Sequence, residues 1–128
     1  MRLRVSLLVA ALLIVTAAAA DDVRPVSQTE MLKRIERNDP ATLIVDVRTP
    51  EEYAAGHVPG AVNIPYTHLP ARASALAVGG DKDIVLYCQT GVRAGRAAER
   101  LRQHGFTRLL HLEGDMKGWL EKRLPTER

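Results

Sequence analysis

The residues best suited to chemistry form one short run, Tyr87-Cys88-Gln89-Thr90-Gly91-Val92-Arg93-Ala94-Gly95-Arg96. Cys88 is the only cysteine in the 128-residue chain, so no internal disulfide can form. That leaves three states for its sulfur: an inert buried thiol, an intermolecular bridge or a reactive nucleophile. The run reads as a strand delivering Cys88, a short loop, and a helix opening near Val92. N–H groups at the start of a helix have no partner within it and face whatever anion lies there. Gly91 lets the backbone curl, so the N–H groups of Gln89, Thr90, Gly91, Val92 and Arg93 are expected to converge on one small anionic centre. Arg93 and Arg96 add positive charge nearby. Such a nest favours a thiolate over a thiol, and the same donors suit the outer sulfur of a persulfide.

The surrounding sequence supplies elements to hold this loop. Ile84-Val85-Leu86-Tyr87 runs into Cys88, Leu43-Ile44-Val45 into Asp46, and Leu109-Leu110-His111-Leu112 into Glu113-Gly114. Apolar runs of this length suit strands buried on both faces. Helices are written between them. Ser27-Gln28-Thr29-Glu30 and Thr49-Pro50-Glu51-Glu52 fit capping boxes, and Pro50 takes the favoured first helical position. Ala94, Ala97, Ala98 and Leu101 share a helical face, with Gly105 placed as a left-handed cap and Phe106 as its apolar partner. Strands alternating with helices imply a parallel α/β sheet, which binds ligands beyond the carboxyl ends of its strands. Asp46 with Arg48, the Cys88 loop, and Glu113-Gly114-Asp115 all fall at such ends.

Arg2 and Arg4, an apolar run from Val5 to Val15 and the tract Thr16 to Ala20 follow the order of a secretory signal peptide. The apolar core is shorter than the roughly 20 residues of a stable membrane span. Residues 1–20 are therefore expected to be a leader, cleaved after Ala20 in preference to being retained as a signal-anchor, and 21–128 one domain, periplasmic or secreted, without stable membrane association after cleavage. Loss of the two leader arginines lowers the formal net charge from +3 to +1. No basic cluster is interleaved with aromatics, so nucleic acid is not an expected partner. His68, His104 and His111 show no metal-ligand spacing with Cys88, and neither a metal nor another cofactor is expected.

Tyr53-Ala54-Ala55-Gly56-His57-Val58-Pro59-Gly60-Ala61-Val62-Asn63-Ile64 resembles the signature of the rhodanese family: an aromatic, three residues, His, an aliphatic, then Pro-Gly-Ala. Asp46-Val47-Arg48 resembles its Asp-x-Arg, and Cys88 to Arg93 its six-residue active-site loop. The resemblance implies a three-layer α/β/α sandwich on a five-stranded parallel sheet, with Cys88 as the nucleophile that carries a persulfide. It implies a sulfurtransferase taking sulfur from thiosulfate or a persulfide and passing it to cyanide, a small thiol or a protein thiol. His57, Pro59 and Gly60 are then mainly structural, Asp46 a buried carboxylate that holds loops, Arg48 either a loop tie or an anion contact, and Trp119 core. Two departures stand out. Asp115 occupies the place of a second glycine, where it would cap a helix and repel anionic substrates. Gln89-Thr90 stands where thiosulfate enzymes carry basic residues. Two other readings remain: a sulfur-delivery or non-catalytic module, and a Cys-loop phosphatase or arsenate reductase. The latter resemble Cys-x5-Arg, one residue longer than the loop here.

Overall fold

The structure, a computed structural model, describes residues 10–14, 23–69, 71–72, 75–76 and 81–128. Most of the expected leader lies outside the described residues. Among them, no helix is long and apolar enough to cross a membrane.

Five parallel strands form one sheet in the order β1-β5-β4-β2-β3. They are β1 (Arg24–Val26), β2 (Thr42–Asp46), β3 (Val62–Asn63), β4 (Asp83–Tyr87) and β5 (Leu109–Leu112). The three apolar runs became the central strands, in keeping with burial on both faces. Side chains alternate across a strand. Val45 and Leu86 thus enter one core with Ala94, Ala97 and Leu101, while Ile44, Val85 and Tyr87 enter the other with Met31 and Trp119. Helix α3 (Val92–Gln103) covers the first face; α1 (Gln28–Glu36) and α4 (Asp115–Glu121) cover the second. The short helix α2 (Pro50–Ala55) follows β2. The result is the expected three-layer sandwich.

Local signals act much as written. Thr49 accepts the Glu52 N–H and Glu52 reaches back to the Thr49 N–H, completing a capping box behind Pro50. At α1 only half the box forms. Ser27 accepts the Glu30 N–H at 3.1 Å, but the Glu30 carboxylate is drawn to Arg34 at 3.1 Å. Gly105 has φ +87° and Phe106 N–H donates to Leu101 O at 3.1 Å, which closes α3 with the expected left-handed cap.

A buried polar network ties the carboxyl ends of β2 and β4 together. Tyr87, fully buried, donates its hydroxyl to Asp46 Oδ2 at 2.7 Å and accepts the Val58 N–H at 3.1 Å. Arg48 Nη2 donates to the same Asp46 oxygen at 2.7 Å, and Nε to both carboxylate oxygens at 3.0 and 3.1 Å. Burial, then the Asp46 charge, push the Tyr87 hydroxyl far above the ordinary phenol range, so it remains a donor. Asp46 therefore has the loop-holding role expected of it. Tyr87→Phe should destabilise the fold by about 1–3 kcal/mol, because Val58 N–H and one Asp46 lone pair lose a buried partner. Thermal or urea unfolding would measure this. No change would mean that water replaces the hydroxyl.

Candidate active site

Cys88 follows the last residue of β4 and is 1% exposed. Its Sγ accepts hydrogen bonds from Gly91 N–H at 3.0 Å and Ala94 N–H at 3.4 Å. Both donors follow from how α3 starts. Gly91 is the residue before the helix, with φ +106° and no side-chain cap, while Ala94 N–H belongs to the first turn and has no helical acceptor. The bonds to Sγ depart in one respect from the sequence expectation. Of the N–H groups from Gln89 to Arg93, Gly91 supplies one bond, and the second comes from Ala94, one residue beyond. The helix axis explains this, since the first-turn N–H groups point back along it toward Sγ.

Glycine is required at position 91 on two counts. Its φ lies in the left-handed region, and a Cβ there would sit 3.1 Å from Asp115 Oδ2 and 3.5 Å from His111 Cε1. Thr90 and Val92 are exposed on either side of it, whereas Gln89 is half-buried.

From the other side, the start of α4 grips the loop. Met116 N–H donates to Cys88 O at 2.9 Å and Lys117 N–H to Gln89 O at 3.1 Å. Asp115 Oδ1 accepts the Cys88 N–H at 3.0 Å. Asp115 was expected to cap a helix and to repel anionic substrates near the catalytic rim. It is instead 3% exposed, has φ +54°, and turns its carboxylate inward beneath the loop. The helix-preceding residue is Gly114, also left-handed, so Asp115 is free to bond the loop rather than its own helix. His111 Nε2 lies 2.9 and 3.0 Å from the two Asp115 oxygens, which places a proton on Nε2. That bond raises the His111 imidazole above its ordinary value, against the opposing effect of burial.

The arginines near the loop are engaged. Arg93 donates to both oxygens of Glu52, Nη1 at 2.6 Å and Nη2 at 2.9 Å, across 41 residues of sequence. Glu52 is held down at about 2, chiefly by this contact. Arg93 remains close enough to Cys88 to feel its charge, but its fork faces a carboxylate. Arg48 is 4% exposed; besides Asp46 it bonds Gly56 O at 2.7 Å, and only Nη1 reaches the loop, 3.4 Å from Gln89 Oε1. Of its two expected roles this geometry matches the loop tie. Arg96 lies exposed on α3.

His57 is packed, as expected, for structure. Its ring stacks on Tyr53 at 3.7 Å, Nδ1–H donates to Tyr53 O at 2.9 Å, and its backbone pairs with Glu127. The ties from Glu52 to Arg93, from Tyr87 to Asp46 and from His111 to Asp115 were not read from sequence, although Tyr87 and Asp115 themselves were placed near the site. Glu52 was absorbed by its capping box. His111 and Asp115 stand at an i,i+4 spacing, but across a strand-to-helix turn where that spacing carries no rule.

The sequence and the fold have counterparts among known proteins. Residues 27–122 match the rhodanese-like domain family. The uncharacterized protein YqhL of Bacillus subtilis is 45% identical over 76 residues, which span 59% of this chain and 59% of that protein. A sulfurtransferase of Allochromatium vinosum is 40% identical over 83 residues, 65% of this chain and 76% of that one. The rhodanese-like domain of the Anabaena Alr3790 protein, solved in solution, superimposes with a TM-score of 0.71 at 30% identity, covering 83% of this chain and 80% of that domain. With Cys88 at the strand end, its sulfur bonded by the following helix start and the matched segment enclosing the whole site, this chain belongs to the rhodanese-like domain family.

Proposed function

We propose that the protein is a sulfurtransferase that carries sulfane sulfur as a persulfide on Cys88. The observation that carries this reading is the pair of N–H donors, Gly91 and Ala94, aimed at Sγ from the start of α3. Donors fixed in the backbone stabilise a thiolate before reaction without reorganising during it. With thiosulfate, the thiolate attacks the sulfane sulfur, the S–S bond of the donor breaks, and sulfite leaves with the electron pair. Cyanide or a thiolate then attacks the outer sulfur of the Cys88 persulfide. Thiocyanate or a new persulfide departs and the Cys88 thiolate returns. A protein thiol fits the acceptor role equally in chemistry. The A. vinosum relative, a sulfurtransferase, supports the same reaction class. The leader, with its basic, apolar and small-residue order, supports export.

The donor is the more selective partner. Glu52 occupies the fork of Arg93, and Gln89 and Thr90 bring no charge to the loop. A dianion such as thiosulfate therefore meets less positive potential than the sequence alone suggests, which favours a persulfide donor. The same pairing weighs against phosphatase chemistry, where Arg93 would have to face the phosphoryl oxygens.

Exposure to a persulfide or thiosulfate should add the mass of one sulfur atom to the intact protein, and cyanide should release it as thiocyanate. Cys88→Ser should abolish both. Cys88-dependent hydrolysis of an aryl phosphate, with no sulfur loaded from any sulfane donor, would overturn the reading. A second prediction concerns Glu52→Gln. It should free the Arg93 fork and lower KM for thiosulfate several-fold, read by steady-state kinetics. The folded-state carboxyl is depressed, so its contribution to stability is complete above the usual glutamate range and is lost as pH falls toward about 2. Thermal unfolding of the variant should thus fall below the parent near neutrality, and the gap should close in strong acid.

A further inference from the structure

Three ion pairs surround the Cys88 loop: Arg48 with Asp46, Arg93 with Glu52, and His111 with Asp115. An arginine keeps its charge at any ordinary pH, whereas an imidazole does not. The third pair is therefore the one whose cation can be lost near neutrality. It is also the pair joined most directly to the nucleophile. Asp115 Oδ1 accepts the Cys88 N–H at 3.0 Å, and Oδ2 lies against Gly91, whose own N–H donates to Sγ. The His111 ring approaches the same Gly91.

We infer that His111 and Asp115 form a specificity-determining pair behind the Cys88 sulfur, neutral with the imidazole doubly protonated and anionic without that proton, so that anionic donors are admitted best in the protonated state. Asp115 is a non-glycine residue at φ +54°, a conformation that costs roughly 1 kcal/mol. The bonds to Cys88 and His111 are what hold it there. The charges facing His111 are few. Its strand neighbours are Leu86 of β4 and Pro25 of β1, the loop presents Gly91, and α4 presents Asp115. Asp115 is the carboxylate that shifts the imidazole, and it shifts it upward. The sign follows. Below the raised value the pair carries no net charge; as pH rises through it, one negative charge remains beneath the loop and opposes any anion that approaches Sγ.

This inference deepens the sulfurtransferase reading, on which its meaning for donors rests, but it can be tested without sulfur transfer. Cys88 is alkylated in parallel by iodoacetate, an anion, and iodoacetamide, which is neutral. Both displace iodide with the same thiolate, so the ratio of their rates cancels the ionisation of Cys88 and reports the local potential. In the parent the ratio should fall about three- to tenfold as pH rises through the His111 titration, the scale of a unit charge acting through an effective dielectric near 20 and partial screening. Asp115→Asn, which keeps an acceptor for Cys88 N–H, leaves no negative charge beneath the loop when His111 is neutral, so the ratio should stay above the parent's on the alkaline side and its fall should move to lower pH. His111→Gln, which keeps a donor for Asp115, should hold it low. A ratio that is flat in the parent, or that falls at the same pH and to the same value in Asp115→Asn, would overturn the inference. The His111 titration followed by NMR gives a second reading that does not need alkylation. Its midpoint should drop in Asp115→Asn and, because coupling is reciprocal, also in Cys88→Ser, which removes the thiolate. Identical midpoints in all three proteins would refute the coupling. Failed sulfur loading with an intact ratio change would strike the sulfurtransferase reading alone.

Discussion

The first N–H groups of an α-helix have no acceptors inside it, and at the start of α3 two of them, directly or through the residue before, point at one sulfur atom. Much of the architecture can be understood as fixing that direction. β4 sets the position of Cys88, because its central place in the sheet and burial on both faces leave its carboxyl end no freedom to shift. Gly91 sets the turn, since only a residue without Cβ fits a left-handed backbone pressed against Asp115 and His111. α3 sets the axis through the small face of Ala94, Ala97 and Ala98, which lets the helix lie close to the sheet. Larger side chains at those positions would lift the helix and move Ala94 N–H away from Sγ.

The loop is also held from behind by α4. Two backbone donors of α4 bond the carbonyls of Cys88 and Gln89, and the Asp115 carboxylate takes the Cys88 N–H. The loop backbone is thus satisfied on one side by α4, while Gly91 N–H faces the sulfur. The ends of β2 and β4 are joined separately by Tyr87, Asp46 and Arg48. Two neighbouring strand ends and two helix starts are locked independently, which is what a site on loops needs if it is to keep sub-ångström geometry.

What sequence revealed and what it concealed divide along physical lines. Signals that act over a turn or less were legible: the Thr49 box, the Gly105 cap, the small face of α3 and the apolar runs of β2, β4 and β5. The edge strands were not. β1 and β3 have three and two residues, too few for a period to show, and Pro25 in β1 even argues against a strand until its edge position is known. The Cys88 loop was legible because a glycine and a helix start follow the cysteine at short range. The pairing of Arg93 with Glu52 was hidden, since it spans 41 residues and Glu52 already had a local explanation. Asp115 was misplaced for a related reason. A carboxylate at a helix start ordinarily caps it, and nothing local told that the preceding Gly114 and its own left-handed backbone would turn the side chain inward.

The charges around the site explain why the backbone dominates its chemistry. Arg48, Arg93 and His111 each face a carboxylate, so their fields at the sulfur are largely cancelled, and two of the pairs lie in or near the low-dielectric interior where an unpaired charge would be costly. A thiolate here therefore depends on N–H dipoles, which carry no proton that can be lost within the range of ordinary pH. For the persulfide proposed here, such donors would not vary with pH, whereas a site built on free cations would vary with salt and with competing anions. The cost is weaker attraction for a dianion at a distance. On the proposed chemistry, selection among donors would then fall to contacts made close to Cys88, at exposed Thr90 and Val92, and to whatever net charge remains beneath the loop.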